Sequence, residues 1–358
     1  MNHLLPALPE HFKTPESVIR DFGKLPLRAG QMPRAVPRAC RCLRKLVLLT
    51  SLGAIAFASH ADYPERPVKL IVPFAPGTST DAQARELAQV LSAMFRQPVI
   101  VDNRAGAEGN IGAKAVANAE PDGYTALLTT SSSAVLDGLM RKVPQFDPLK
   151  ELAPVCGISS VGMGMYITSA LPFKNVADFV AAAKAQPERF TFAYATASQR
   201  LAAELFQQAS GVKLKGIPYR ATVAGITAAA SGEVDMVMND PVGAGPLYAA
   251  GRIRPLAVST PVRMKTLPDI PVGAEAGLPG FEMTPWWGMF LPAKTPAPVV
   301  ETLRQAVSKA LASQAMVASR TKMGVDEFSL CGDALTRFQV SDIDRWRQVI
   351  KKAAIPLE

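Results

Sequence analysis

Strand-like and helix-like segments alternate along most of this 358-residue chain, and that alternation leaves few folds open to it. The apolar run 68–72 leads through a small-residue loop into a helix that reaches Phe95. Further strands are expected at 98–102, 124–129, 161–168, 190–194, 215–218, 234–238, 254–259 and 286–291. Helices are expected between them at 110–119, 176–185, 199–210 and 223–230, and the chain after 291 reads as mainly helical. Such alternation predicts an α/β protein with parallel sheets covered by helices.

The first sixty residues stand outside this pattern. Arg41, Arg44 and Lys45 precede an apolar run over 46–58, which ends in Ser59-His60-Ala61. That is the order of an export signal, so residues 1–61 are expected to be a leader, with the mature protein in the periplasm. The run is short for a membrane span. Cys40 and Cys42 precede it, where a lipid-bearing cysteine would follow. Met32 opens a more ordinary leader than the Pro-rich residues 1–31 do, which makes it a candidate start.

Without residues 1–61 the charge picture changes. That segment holds nine Lys/Arg against three Asp/Glu, so the net charge falls from +9 to +3. The basic balance therefore gives no support to nucleic-acid binding, which needs a clustered basic face. All three histidines, His3, His11 and His60, lie in the leader. The remainder has no means for histidine-activated serine or cysteine catalysis, and no metal or other cofactor is expected. Cys156 and Cys331 remain; export permits a disulfide, but spacing does not decide the pairing.

The remaining 297 residues suggest two lobes. In open α/β sheets a ligand sits beyond the carboxyl ends of the strands. The loops there are 74–80, 130–133, 195–198, 219–222 and 239–243, several of them rich in Ser, Thr and Gly. The first is the most informative, because Thr78, Ser79, Thr80 and Asp81 open a helix directly behind it. Hydroxyl residues cap the free amides of a first turn, and the same amides with the helix dipole attract an anion. Asp81 and Arg85 stand four apart on that helix and are placed to pair. The glycines of 106–112 follow the second strand, not the first, so they do not form a dinucleotide fingerprint. Ser131, Ser132 and Ser133 have no histidine to activate them, and no S-x-x-K pattern starts there.

Four ordered motifs resemble the Bug-type, tripartite tricarboxylate transporter family of extracytoplasmic solute-binding proteins. They are YPERPVKLIVPFAPGTSTDAQAR (63–85), VDNRAGAEGNIGAKAVANAEPDGYTALLTT (101–130), IPYRATVAGITAAASGEVDMVMND (217–240) and GRIRPLAVSTPVRMKTLPDIPVGAEAG (251–277). The resemblance implies a type II periplasmic binding-protein fold: two α/β lobes, a two-segment hinge and a cleft. Residues 62–163 and 288–358 would form one lobe and 164–287 the other. It also implies binding loops made of Phe74, Ala75, Pro76, Gly77, Thr78, Ser79, Thr80, Asp81 and Ser131 to Ser133 in the first lobe. Ala195, Thr196, Ser198, Tyr219, Arg220, Ala221 and Asp240 would face them from the second. The implied function is capture of a small organic carboxylate or related amide, by a monomer, for membrane transporter subunits of the tripartite tricarboxylate type. This chain departs from the family pattern at Thr78 and Ala221, where many relatives have glycine, and at 194–206, where the loop is shortened and Arg200 stands near the position of the family's histidine. An exported hydrolase on the same lobes, using Asp81 or Asp240, and a receptor for a membrane sensor are the alternative readings.

Overall fold

A computed structural model of the protein describes residues 63–357; the expected leader and the start at Met32 lie outside the described residues. The strands are β1 (Val68–Val72), β2 (Val99–Asn103), β3 (Thr125–Thr130), β4 (Leu152–Ser160), β5 (Gly164–Thr168) and β6 (Thr191–Tyr194). They continue as β7 (Lys215–Pro218), β8 (Met236–Asn239), β9 (Ile253–Val258), β10 (Trp286–Pro292) and β11 (Asp326–Glu327). One six-stranded sheet has the order β11-β4-β10-β3-β1-β2, and a five-stranded sheet the order β7-β6-β8-β5-β9. The chain passes from the first sheet to the second after Ser160 and returns before Trp286.

The longer helices are α1 (Ser79–Phe95), α2 (Asn110–Ala117), α3 (Val176–Ala185), α4 (Ala197–Ser210) and α5 (Thr222–Ser231). They are followed by α6 (Pro241–Ala249), α7 (Ala297–Leu311), α8 (Gln314–Met323) and α9 (Asp333–Lys352). In α1 the buried residues Ala84, Leu87, Ala88 and Leu91 recur at helical spacing. Each fully buried leucine there is worth about 1.5–3 kcal/mol. In β1, Leu70, Ile71 and Val72 are all fully buried, as expected for a strand with helices on both faces.

Both sheets are mixed, which corrects the expectation of parallel ones. β1 runs parallel to β2 and β3, and β6 parallel to β7 and β8. β10 is antiparallel to β3 and β4, and β5 is antiparallel to β8 and β9. A parallel pair needs a crossover connection, usually a helix. β5 and β10 instead enter their sheets straight from the inter-sheet crossings, so no helix sets their direction.

The sequence reading also missed α6. It contains two prolines and two glycines within Pro241–Ala249, a composition that scores poorly for helix. The tertiary setting overrides propensity here, with Asp240 supplying the cap. Cys156 of β4 and Cys331, just ahead of α9, are joined in a disulfide. The bridge ties the C-terminal helix to the first sheet across 175 residues of sequence.

Candidate ligand cleft

The loop after β1 sets up the first wall of a cleft. Gly77 takes φ +82° with open space around it, a left-handed conformation that side-chain-bearing residues avoid. Thr78 then turns extended and caps α1: its Oγ1 accepts from the Asp81 amide at 3.3 Å and donates to the Ala75 carbonyl at 2.9 Å. The amides of Ser79 and Thr80 have no internal partner among the described residues. Thr80 Oγ1 accepts the Trp287 indole N–H at 2.9 Å, which fixes the helix start to β10.

Asp81 turns away from the cleft. Its carboxylate accepts from the Gly77 amide, from Arg85 Nε and from Asn103 Nδ2, each at 3.0 Å. Burial alone would raise its pKa; the bonds from Arg85, Gly77 and Asn103 outweigh that and hold it below the ordinary value. Asn103 Nδ2 also donates to the Phe74 carbonyl at 3.0 Å, so one amide group braces both ends of the loop.

Three helix starts form the opposite wall. Thr196 caps α4 by accepting from the Gln199 amide at 3.2 Å, and Gln199 Nε2 donates to Asn239 Oδ1 at 3.0 Å. Ala221 precedes α5 and has no side-chain oxygen, so that helix start carries no side-chain cap. Asp240 caps α6: Oδ1 accepts from the Gly243 amide at 2.9 Å, while Oδ2 accepts the Ser79 hydroxyl at 2.9 Å. This last bond joins the two walls. Burial raises the Asp240 pKa above its ordinary value, against the lowering pull of the Gly243 amide and the Ser79 hydroxyl.

Between the walls lies a cavity of about 310 Å³, at the small end of ligand sites. Its lining includes Thr130, Thr196, Ser198, Asn239 and Asp240, with Met163, Val223, Ile226, Leu247 and Trp287 as apolar surface. Asp240 is the one titratable side chain among the described lining residues, and none of them is Lys, Arg or His. The Ser198 hydroxyl is buried without a hydrogen-bond partner among the described residues. An unpaired buried hydroxyl is costly, typically about 1–3 kcal/mol, unless a guest satisfies it. No group of three or more metal-ligating side chains occurs among the described residues.

The sequence-predicted residues divide between this cavity and its surroundings. Phe74, Gly77, Thr78, Ser79, Thr80, Thr196, Ser198 and Asp240 line it. Ala75, Ala195, Arg220 and Ala221 line a smaller crevice beside it, with Gly106 and Gly109, and Pro76 lines neither. Tyr219 points to Glu233, its hydroxyl donating at 2.8 Å. The three serines after β3 are buried and bonded within the protein. Ser131 Oγ accepts from the Trp286 amide at 3.4 Å, Ser132 Oγ from the Ser198 amide at 3.3 Å, and Ser133 donates to the Glu108 carbonyl at 3.2 Å. Arg200 donates to the Pro356 carbonyl at 2.7 Å.

Sequence reasoning overlooked Gln199 and the apolar wall, whereas Asn239 belongs to the loop 239–243 expected at the strand ends. Val223, Ile226 and Thr227 follow helical spacing along α5, a pattern that core and cavity positions share. Leu247 belongs to the helix that was not foreseen. Alternation along β10 sends the Trp286 and Trp287 side chains to opposite faces. Trp287 lines the cavity, while Trp286 packs on Phe328 and Phe338 and donates to Asp342 at 3.0 Å.

Comparison with known proteins agrees with this architecture. Residues 83–355 match the family described as "Tripartite tricarboxylate transporter family receptor". Protein BugT of Bordetella pertussis is 33% identical over 316 residues, covering 87% of this chain and 97% of that protein. Among solved structures, the R. palustris protein Rpa4515 with adipate is 32% identical with a TM-score of 0.79, covering 83% of this chain and 100% of its own. MatC from Rhodopseudomonas palustris with bound malate is 27% identical with a TM-score of 0.76, covering 80% and 100%. Periplasmic binding protein BugD is 30% identical with a TM-score of 0.77, covering 83% and 100%. With both the family match and the near full-length relatives in agreement, this chain belongs to the Bug-type, tripartite tricarboxylate transporter receptor family, with its two-lobed α/β periplasmic binding-protein fold.

Proposed function

We propose that the protein is a periplasmic receptor that captures a small organic carboxylate, or a related amide, and delivers it to a tripartite tricarboxylate-type membrane transporter. One observation carries this reading: unpaired amides at the buried start of α1 face the same cavity as the orphaned Ser198 hydroxyl on the other wall. Helix-start amides favour an anion through both their hydrogens and the dipole. The relatives solved with adipate and malate support a carboxylate as the guest. A cavity with a single titratable group offers no acid–base or nucleophile–base pair, which favours a receptor over a hydrolase.

The two crossings between the sheets serve as the hinge in this reading, with 62–163 and 288–358 moving against 164–287. A ligand that touches both walls stabilises the closed arrangement only by its differential affinity for it. Export through the leader places the protein in the periplasm, where it acts as a monomer.

Thermal unfolding against a panel of mono-, di- and tricarboxylates, aromatic acids and their amides tests the proposal. A true ligand at a hundred times its Kd adds about 2.7 kcal/mol of stability. Ser198→Ala should weaken that ligand about tenfold, through loss of one hydrogen bond of about 1–1.5 kcal/mol. If no compound in the panel shifts the transition, the receptor reading fails.

A further inference from the structure

The cavity wall holds one group that changes charge, and it stands beside the place where an anion would rest. Asp240 caps α6 on the second wall, yet its Oδ2 accepts the hydroxyl of Ser79 at 2.9 Å. Ser79 is the first residue of α1, whose opening amides form the anion seat. A carboxylate on those amides is therefore a close neighbour of the Asp240 carboxylate. No lysine, arginine or histidine among the described lining residues offsets the pair. Two carboxylates that share a site without a cation do not both stay ionised, because one of them retains a proton.

We propose that Asp240 holds that proton, so that the receptor takes up one proton from solvent together with its anionic ligand. This rests on the carboxylate-receptor reading. Asp240 and the guest form an acid–carboxylate pair, in which the neutral side chain donates a hydrogen bond in place of repelling the guest. The Ser79 hydroxyl, bonded to Asp240 at 2.9 Å, can then turn to the guest.

The neighbours of Asp240 leave this role to it. Tyr166 of β5 lies close and is fully buried, and the Tyr248 ring of α6 is tilted against the Tyr166 ring with centroids 6.5 Å apart. Burial pushes the Tyr166 pKa up, so its phenol stays neutral near pH 7. Lys322 of α8 lines a separate groove with these tyrosines, outside the ligand cavity. On α1, Asp81 is already paired with Arg85 at 2.9 Å. Burial already raises the Asp240 pKa, and a bound anion raises it further. Between those two pKa values, affinity falls about tenfold for each unit of rising pH, and outside them it is flat.

Calorimetric titration with adipate and with benzoate, at pH 5 to 8 and in two buffers of different ionisation enthalpy, reads the proton count directly. The expected result is net uptake approaching one proton, with a falling affinity as pH rises. Asp240→Asn keeps a capping side chain, and its folding is verified by circular dichroism. It should bind the same acid with no proton uptake and no pH slope. Binding without proton uptake in the native protein, or a slope retained in Asp240→Asn, overturns this inference and leaves the receptor reading standing. If neither acid binds either protein, the same titration is run with the panel compound that raises the melting temperature most, and if none does, the receptor reading falls and the inference falls with it.

Discussion

The two walls of the cleft are made of different material. The α1 wall is polar and locked: Thr78, Ser79 and Thr80 are buried, and Trp287 and the Asp81–Asn103–Arg85 cluster hold them. The facing wall of α5 and α6 is apolar and open, with Val223 exposed and Leu247 only partly buried. In a carboxylate receptor, a rigid donor set suits the one feature all guests would share, the carboxylate head. A compliant apolar surface suits the part that varies between guests. Under the proposed function, recognition of the class and choice within the class would fall to different walls.

Breaking the support beneath the polar wall should have the largest effect. The Cys156–Cys331 bridge staples α9 to the sheet that carries α1. Replacing both cysteines with serine is expected to cost about 2–5 kcal/mol, read by denaturant unfolding with and without reductant. An unchanged midpoint would mean that the sheet holds α9 without the bridge.

Thr80→Val comes next. The change keeps the shape but leaves the buried Trp287 N–H without its acceptor, a loss of about 1–3 kcal/mol. Affinity should drop in parallel, because the helix start loses its anchor. A variant that is destabilised yet binds normally would separate the anchor from the anion seat.

The aspartates of the two walls should respond to pH with opposite sign. Asp81 has a lowered pKa in the folded protein, so its stabilisation is present above the unfolded value and lost as pH falls through the folded one. Asp240 has a raised pKa, so the folded state binds the proton more tightly, and stability declines as pH rises through that window. Melting curves between pH 2 and 7 for Asp81→Asn and Asp240→Asn should show each slope removed separately. If both variants change the profile in the same direction, the two walls are electrostatically alike.

Val223→Ala should change stability least, within about 0.5 kcal/mol, since the side chain is exposed. Its effect should appear in selectivity, as a loss of affinity for acids with bulky apolar bodies and little change for small ones. Equal losses across the panel would assign Val223 to the shared head-group site.

Much of the first wall was legible in the chain. The apolar run before Pro73, the glycine at 77 and the hydroxyls of 78–80 are local signals, and each means the same thing in any fold. The capping role of Thr78 and the Asp81–Arg85 pair follow from spacing alone. Ser131 to Ser133 show where local reading stops. Their composition suggests a ligand loop, but their partners Trp286, Ser198 and Glu108 stand 25 to 155 positions away in sequence. The mixed direction of the sheets and the helix at Pro241–Ala249 were equally hidden, because crossings and tertiary packing determine them.

The sequence by itself determined the alternating elements, the hydroxyl-capped start of α1, the absence of histidine after residue 61 and, through its motifs, the family. All of these depend on neighbours along the chain or on residue type. Only the tertiary structure decided which hydroxyls remain unpaired, which loop residues face the cavity, and that Asp240 meets Ser79 across 161 positions. Those outcomes depend on how two sheets are set against each other, and long-range packing leaves no periodic trace in a single sequence.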